Sequence, residues 1–315
     1  MVDAVTRLEE VSVHQEPLGA PPETRWDDIY QNRILPILRY GRRNKSLVVG
    51  LAMLSTLLLF TLVSSISYDT STYRPLSAPT RLPPSLEYPF GTDTQGRDLF
   101  AMTVRGIPLT LQIGLIAGLV SVALGTITAF FAAYYGRWVD ASVRTLVDVG
   151  LAMPGLLILI LVRLNLGREL AIWEMGLALA IVGWVFSSRP IRSQVLVMRE
   201  TPYVEIARQS GTSGMGIIFK EMMPNLIPYI TASLVVSVAG AILASIGLEA
   251  VGLGDFSSPT LGMIIYWNIQ FSSIILGMWW WWLPALITIV IVFVSLFLIS
   301  AGLDEWSNPR LRKRV

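Results

Sequence analysis

Long apolar blocks separated by short polar segments form the main pattern along this chain. A helix needs about twenty apolar residues to cross the ~30 Å of hydrocarbon in a bilayer. The block at residues 46–66 meets that length without a charged side chain. Five further blocks lie at residues 108–134, 146–161, 175–186, 229–248 and 279–301. The pattern predicts an all-α integral membrane protein with about six transmembrane helices.

The blocks divide the chain into an N-terminal tail with a pre-span segment (1–45), a transmembrane domain (46–301) and a C-terminal tail (302–315). Most of the 24 Lys and Arg residues lie in the two tails and in alternate loops between the blocks. Basic loops tend to stay in the cytoplasm. The distribution predicts a multi-pass protein of the cell membrane with both termini cytoplasmic.

Composition supports a membrane protein and excludes several functions. The chain of 315 residues is 53% hydrophobic and 15% charged, with a mean hydropathy of +0.59, whereas soluble domains carry about 25% charged residues. A net charge of +2 with scattered basic residues argues against a nucleic-acid partner. Membrane lipid is the partner that we expect around the apolar blocks. Cysteine is absent and His14 is the single histidine, so we expect no metal site, since such a site needs several ligands.

The loop at residues 199–225 predicts two short cytoplasmic helices. Pro202 suits the first turn of a helix, and Gly211 suits a left-handed residue that ends it. Ser213 is placed to cap a second helix, which we expect to end before Pro224 because proline cannot extend the hydrogen-bond ladder. This second segment gathers apolar residues on one side: Ile217, Ile218, Met222 and Met223. The apolar side could dock in a groove of a soluble partner, or it could pack only on its own chain.

The residues of this loop resemble the EAA loop of ABC importer permeases. The matching positions are Glu205-Ile-Ala207, Gly211, Ile217 and Pro224-Asn225. In that family the loop forms coupling helices that sit in a cleft of the ATP-binding subunit. The resemblance therefore implies docking on such a subunit through Glu205, Ala207, Gly211, Ile217 and Pro224. Ile206 departs from the family pattern, in which a small residue is usual, and this affects packing detail rather than spacing.

Other segments resemble one subfamily, the C-type permeases of dipeptide, oligopeptide and nickel importers. The segment Pro89-Phe-Gly-Thr-Asp-Thr-Gln-Gly-Arg-Asp98 is similar to the pre-translocation motif of that subfamily. Further matches follow in order, at Tyr135-Gly-Arg-Trp-Val-Asp140, Asp148, Ala152-Met-Pro154, Gly183-Trp184, Gly252-Leu-Gly254 and Asn308-Pro-Arg-Leu-Arg312. Together they cover roughly residues 40–315, and they imply a type I ABC importer-like fold with cytoplasmic coupling helices.

The resemblance also implies partners and cofactors. It implies a second homologous permease subunit, two ATP-binding subunits and an extracytoplasmic solute-binding protein, with ATP and Mg held in the ATP-binding subunits and no cofactor in this chain. Asp93, Arg97 and Asp98 lie just before the second block, on the predicted outer side. They could contact the external solute-binding protein, or they could hold a turn through local hydrogen bonds.

The function that follows is translocation of an oligopeptide-like or oligosaccharide-like solute by a non-catalytic permease subunit. The chain contains no G-x-x-x-x-G-K-[ST] motif, so we expect ATP hydrolysis in a separate partner subunit. A membrane-embedded enzyme is disfavoured, because no group of nucleophiles or metal ligands is visible. The remaining alternative is a secondary transporter that works without an ATPase, although the predicted spans hold almost no acidic residues.

Overall fold

The computed structural model describes residues 44–307, and side chains up to residue 305. The predicted N-terminal tail with His14, and the Asn308–Arg312 segment, lie outside the described residues. Nine helices make up the described range: α1 (Lys45–Ser67), α2 (Leu99–Tyr135), α3 (Arg137–Ala152), α4 (Gly155–Leu166), α5 (Ile172–Arg199), α6 (Pro202–Gln209), α7 (Gly214–Ala250), α8 (Leu261–Gln270) and α9 (Trp279–Ser307). A short 3₁₀ turn, Thr70–Tyr73, lies between α1 and α2.

Four of these helices are long and apolar enough to cross a membrane. They are α1, α2, α7 and α9, and a fifth span results if the bent pair α3 and α4 is counted as one. The predicted spans at residues 46–66, 108–134, 229–248 and 279–301 are therefore confirmed as helices of membrane-spanning length. The structure thus supports a helical membrane protein with four to five candidate spans.

The second span begins earlier than predicted, at Leu99 rather than at Pro108. Asp98 caps this helix, because its Oδ1 accepts a hydrogen bond from the backbone N–H of Phe100 at 2.9 Å. A side-chain cap of this kind satisfies a donor that the first turn leaves without a partner. Pro108 consequently lies inside the helix, where its ring is tolerated.

The third predicted span, residues 146–161, is wrong as a single helix. Helix α3 ends at Ala152 and helix α4 begins at Gly155, and the angle between the two helix axes is 84°. Met153 adopts an extended conformation, with φ −83° and ψ 131°. A residue before proline is pushed out of the helical region, and Pro154 has no N–H to donate, so the break falls at this dipeptide.

The fourth predicted span, residues 175–186, forms the middle of α5. The helix extends over 28 residues, from Ile172 to Arg199. Glu174 and Arg189 flank its apolar part, and α5 is not among the helices that are both long and apolar enough to span a membrane. The sequence located the helix correctly but not its polar second half.

Glycines allow the central helices to approach closely. The helix α2 packs along α5 and α7, while α9 packs along α1. A Cβ added at Gly118 of α2 would lie 2.5 Å from the Cγ2 atom of Val238 in α7, and one at Gly50 of α1 would lie 2.8 Å from the carbonyl oxygen of Ser295 in α9. Small residues at such crossings are typical of helices that pack within a membrane.

Candidate coupling surface and translocation groove

The first helix of the loop is built as the sequence predicts. Pro202 stands in the first turn of α6, and Gly211 follows its end with a positive φ of +79°. The backbone N–H of Gly211 donates to the carbonyl of Arg208, and that of Thr212 donates to the carbonyl of Ala207, both at 3.1 Å. These two bonds form a Schellman motif, which satisfies the last carbonyls of the helix.

The second segment begins as predicted but does not end before Pro224. The Oγ atom of Ser213 accepts the N–H of Gly216 at 3.2 Å, which confirms Ser213 as the cap. The chain then forms a π-helical turn over Ile217–Met222 and continues without a break into the rest of α7. The wider π turn accommodates a proline, because the ring clash and missing donor fall where the hydrogen-bond register has already changed.

The apolar side of the loop faces its own chain. Ile217, Ile218 and Met222 are fully buried. Together with Val204 of α6, they belong to one cluster, which we call the inner cluster, that also holds side chains of α2 and α5, including Phe130, Ile191 and Val195. This side is therefore not a docking surface, and for it the alternative of packing on the same chain is the correct one. Ile217 packs inside this cluster under the loop and has no exposed surface for a partner.

The opposite side of the loop is exposed and mixed in character. Glu205 accepts a hydrogen bond from the guanidinium of Arg208 at 2.7 Å, and both side chains are about half exposed. Ile206 is 62% exposed beside this pair, and Met215 and Phe219 are exposed on the next segment. We call these five residues, with Tyr203, the coupling surface. Sequence reasoning missed Met215 and Phe219, and it noted Ile206 only as a departure from the family pattern.

The other residues predicted for docking lie around the coupling surface. Ala207 is half-buried against the inner cluster, and its main role in the structure is to accept the hydrogen bond from Thr212. Gly211 is exposed, and a Cβ there would meet nothing within 4 Å. Pro224 is exposed at the base of α7. The structure thus brings Glu205 and Gly211 to the surface and leaves Ala207 as a supporting residue.

Hydrogen bonds and packing attach the coupling surface to three long helices. The guanidinium of Arg199, the last residue of α5, donates to the carbonyl of Ala133 in α2 at 2.8 Å. The inner cluster joins α6 to the same two helices and to the start of α7. A force applied to α6 would therefore reach α2, α5 and α7 directly.

Asp93, Arg97 and Asp98, in the segment before α2, are buried, so these side chains offer almost no surface for the predicted contact with an external protein. Their exposures are 0%, 6% and 0%. The Oδ2 atom of Asp98 accepts hydrogen bonds from Tyr68 at 2.5 Å and from Thr72 at 3.1 Å. The carboxylate thus ties the segment after α1 to the start of α2.

Asp93 and Arg97 hold the turn that precedes α2. Asp93 Oδ1 accepts the backbone N–H groups of Gln95 and Arg97, both at 2.8 Å. The guanidinium of Arg97 lies over the ring of Trp267 in α8, 4.3 Å from its centroid. Burial raises the pKa of Asp93 above its ordinary value, although the hydrogen bonds and the charge of Arg97 oppose this. These contacts support the alternative of a turn held by local hydrogen bonds.

A groove of about 800 Å³ runs between α4, α5 and α7 and ends near the last turns of α9. One side of α7 lines it with small residues at helical spacing: Ser233, Ser237, Gly240, Ala244 and Gly247. Ser237 shares a hydrogen bond with Ser187 of α5 at 2.9 Å. Asp304 is the one charged residue among those that line the groove in the described part of the chain.

The groove follows α7 over a length close to the thickness of a bilayer core. Its lining residues on that helix extend from Tyr229 to Gly247, which corresponds to about 27 Å at 1.5 Å per residue. Hydroxyl groups and backbone near glycine offer weak, uniform polar contacts to a solute, while the remaining lining is apolar. Sequence reasoning did not identify these residues, although the spacing of small and hydroxyl side chains along residues 229–247 was a visible signal.

Comparison with known proteins assigns the family. Residues 88–313 match the family described as binding-protein-dependent transport system inner membrane component. This range covers α2 to α9 and includes both the coupling surface and the groove.

Curated relatives match over nearly their whole length. A dipeptide transport system permease protein from Alkalihalophilus pseudofirmus is 30% identical over 94% of this chain and 96% of its own. A putative peptide transport system permease protein from Brucella abortus is 31% identical over 94% and 98%. An oligopeptide transport system permease protein from Mycobacterium bovis is 28% identical over 90% and 97%. The chain belongs to the family of inner membrane components of binding-protein-dependent transport systems, as a non-catalytic permease subunit.

Proposed function

We propose that this permease imports peptides, using ATP that is hydrolysed on separate subunits docked at the coupling surface. The observation that carries the proposal is the two-sided loop at residues 199–225. Its apolar side is buried against α2 and α5, whereas Ile206, Met215 and Phe219 remain exposed on the other side. The relatives are named as dipeptide, oligopeptide or putative peptide transport permeases, which supports peptides rather than oligosaccharides as the solute.

The coupling surface has the character of a docking site for a soluble protein. Large exposed apolar side chains next to a charged pair suit a helix that inserts in a groove of a partner. The pair of Glu205 and Arg208 offers both a hydrogen-bond acceptor and donors at the same edge. The proposed complex contains two ATP-binding subunits, which hold ATP and Mg, and the coupling surface lies in the cytoplasm with both chain termini.

The groove along α7 is proposed as one wall of the translocation path. A second homologous permease subunit would supply the other wall, and an extracytoplasmic solute-binding protein would deliver the peptide. In this arrangement, ATP binding to the partner subunits shifts the equilibrium between the inward-open and outward-open states of the permease. The coupling surface and the groove are connected through α7, which carries Met215 and Phe219 and lines the groove from Tyr229 onward, and Tyr229 packs against the inner cluster.

Co-purification with ATP-binding subunits from the same organism tests the proposal. The full permease pair is isolated in detergent with Glu205→Ala and Ile206→Ala together, and with Glu200→Ala as the matched control. Glu200 is also an exposed glutamate paired with an arginine, but it lies at the end of α5 outside the coupling surface. We expect the double variant to lose the ATPase and the control to retain it.

A transport assay in vesicles separates the proposal from a secondary transporter. Uptake of a labelled dipeptide should need internal ATP and the ATP-binding subunits, and it should persist when ion gradients are collapsed. Uptake driven by an ion gradient in vesicles that lack the ATPase would overturn the proposal. Binding of the ATPase by the double variant at wild-type level would overturn the assignment of the coupling surface.

A further inference from the structure

A small charged pocket lies between α3 and α5, apart from the groove and from the coupling surface. It has a volume of about 250 Å³. Its walls consist of two short stretches, one from each helix: Val143, Arg144, Val147 and Asp148 on α3, and Ser188, Arg189 and Arg192 on α5. Three guanidinium groups therefore converge on one space.

The ion pairs around this pocket leave one positive charge without a counterion. Arg192 binds the carboxylate of Asp140 through two hydrogen bonds, of 2.5 and 2.7 Å. Arg144 contacts the same carboxylate at 3.2 Å. Arg189 is exposed, and none of the described carboxylates lies within ion-pair distance of it. With Asp148 included, three cations face two anions, and the pocket carries a net charge of +1.

The depth of the pocket places it where lipid headgroups meet acyl chains. The hydroxyl of Ser188 shares a hydrogen bond with that of Thr128 in α2, at 3.2 Å. Thr128 lies about 10 Å inside the Tyr135 end of this spanning helix, by the rise of 1.5 Å per residue. A guanidinium at that level is unfavourable unless it reaches water or an anionic partner.

Lipid also has direct access to this region. The side of α3 that faces away from α5 exposes Trp138, Leu146 and Val149, with Trp138 86% exposed. An apolar helix face next to basic side chains is typical of a segment that lies in the membrane interface. The helix that forms one wall of the pocket thus also carries an apolar side suited to lipid, and an occupant that is itself part of the bilayer fits the pocket better than a soluble anion.

We propose that this pocket binds the phosphodiester group of an anionic phospholipid, with Arg144 and Arg189 as its hydrogen-bond donors. Arg192, which Asp140 holds in place, adds a fixed positive charge behind them. Asp148 restricts the choice of anion, because it leaves a net charge that balances one negative charge rather than two. A singly charged phosphodiester such as that of phosphatidylglycerol matches this balance, and basic pockets between transmembrane helices suit such headgroups.

Native mass spectrometry of the full chain in detergent tests the site. The chain is titrated with phosphatidylglycerol or with phosphatidylcholine of the same acyl chains, and retained lipid is counted. The test variant carries Arg144→Gln and Arg189→Gln, and the matched control carries Arg81→Gln, an exposed arginine of the outer loop. We expect preferential retention of phosphatidylglycerol by the wild type and the control, and a loss of roughly fivefold in affinity for each guanidinium removed.

A second variant and a soluble anion keep the result unambiguous. Arg144→Lys with Arg189→Lys keeps the charges and should recover most of the preference for phosphatidylglycerol. Such recovery would show that the glutamine variant loses this preference through its charge and not through misfolding. Inorganic phosphate at millimolar concentration should not compete with the lipid. Equal retention of both lipids by the wild type, unchanged retention by the glutamine variant, or displacement by inorganic phosphate would each overturn the assignment to a lipid headgroup.

Discussion

Replacement of Gly211 by alanine isolates the backbone conformation that ends α6. The residue adopts φ +79°, where a residue with a Cβ atom is disfavoured by about 1–2 kcal/mol. A Cβ at this position would contact nothing within 4 Å, so the substitution adds strain without a steric clash or lost packing. The expected result is a five- to thirtyfold drop in the equilibrium constant that favours the native loop end over other conformations, and a lower rate of transport.

Gly167 provides the control for this experiment. It ends α4 with φ +63°, and a Cβ there also meets nothing within 4 Å. The two alanine variants should lower thermal stability in detergent by similar amounts. Only Gly211→Ala should reduce ATPase binding and peptide uptake by the reconstituted complex, because only this residue shapes the coupling surface.

The outcome can refute the reasoning in two ways. Equal loss of transport in Gly211→Ala and Gly167→Ala would mean that general destabilisation, and not the coupling surface, limits uptake. Full transport in Gly211→Ala would mean that the loop end is not needed for docking. A variant with asparagine at position 211 should fall between glycine and alanine, since asparagine tolerates the left-handed region better than other residues with a Cβ atom.

Three further changes test other parts of the structure. Ile217→Ala opens a cavity in the inner cluster and should lower stability by about 2–5 kcal/mol in thermal or denaturant unfolding, whereas Ile206→Ala, at an exposed site, should leave stability unchanged and weaken ATPase binding. Gly96→Ala combines φ +71° with a Cβ 2.3 Å from the carbonyl oxygen of Ala78, so limited proteolysis should cut the loop before α2 faster than in the Gly167→Ala control. Burial raises the pKa of Asp93, so its stabilising contribution is present below the unfolded pKa of about 3.9 and is lost as pH rises through the higher folded value. The melting temperature of Asp93→Asn relative to wild type should therefore rise with pH across that window, and an unchanged difference would contradict the burial argument.

Local chemistry made the helix ends of the coupling loop predictable. Pro202, Gly211 and Ser213 each act through backbone geometry or a neighbouring N–H, so their roles are readable from a few adjacent residues. The same local logic failed at Pro224, because a π turn before it changed the register. That turn depends on how Ile217 and Met222 pack against α2 and α5, which no short stretch of sequence reveals.

Burial was the property that the sequence least revealed. Asp93, Arg97 and Asp98 appear as charged residues in a polar loop, yet the structure encloses all three. Tyr68 and Thr72 donate to Asp98, and Trp267 lies against Arg97. These partners are distant in sequence from the residues they contact, and only the folded chain brings them together. The apolar side of the coupling loop was recognised, but whether it faced a partner or its own chain required the positions of α2 and α5.

The π turn in α7 has a mechanical consequence. Pro224 has no N–H to donate, and its ring would clash with the carbonyl one turn earlier in a regular α-helix, so the π turn relieves a kink between the loop and the groove. With it, one helix of 37 residues, about 55 Å long, carries the loop at one end and the groove residues along the rest. A tilt of roughly 5° about the π turn would move the far end of the helix, about 42 Å away, by about 4 Å. The helix therefore acts as a lever, in which a small angular change imposed at the end that carries the loop becomes a displacement comparable to the width of an atom at the other end.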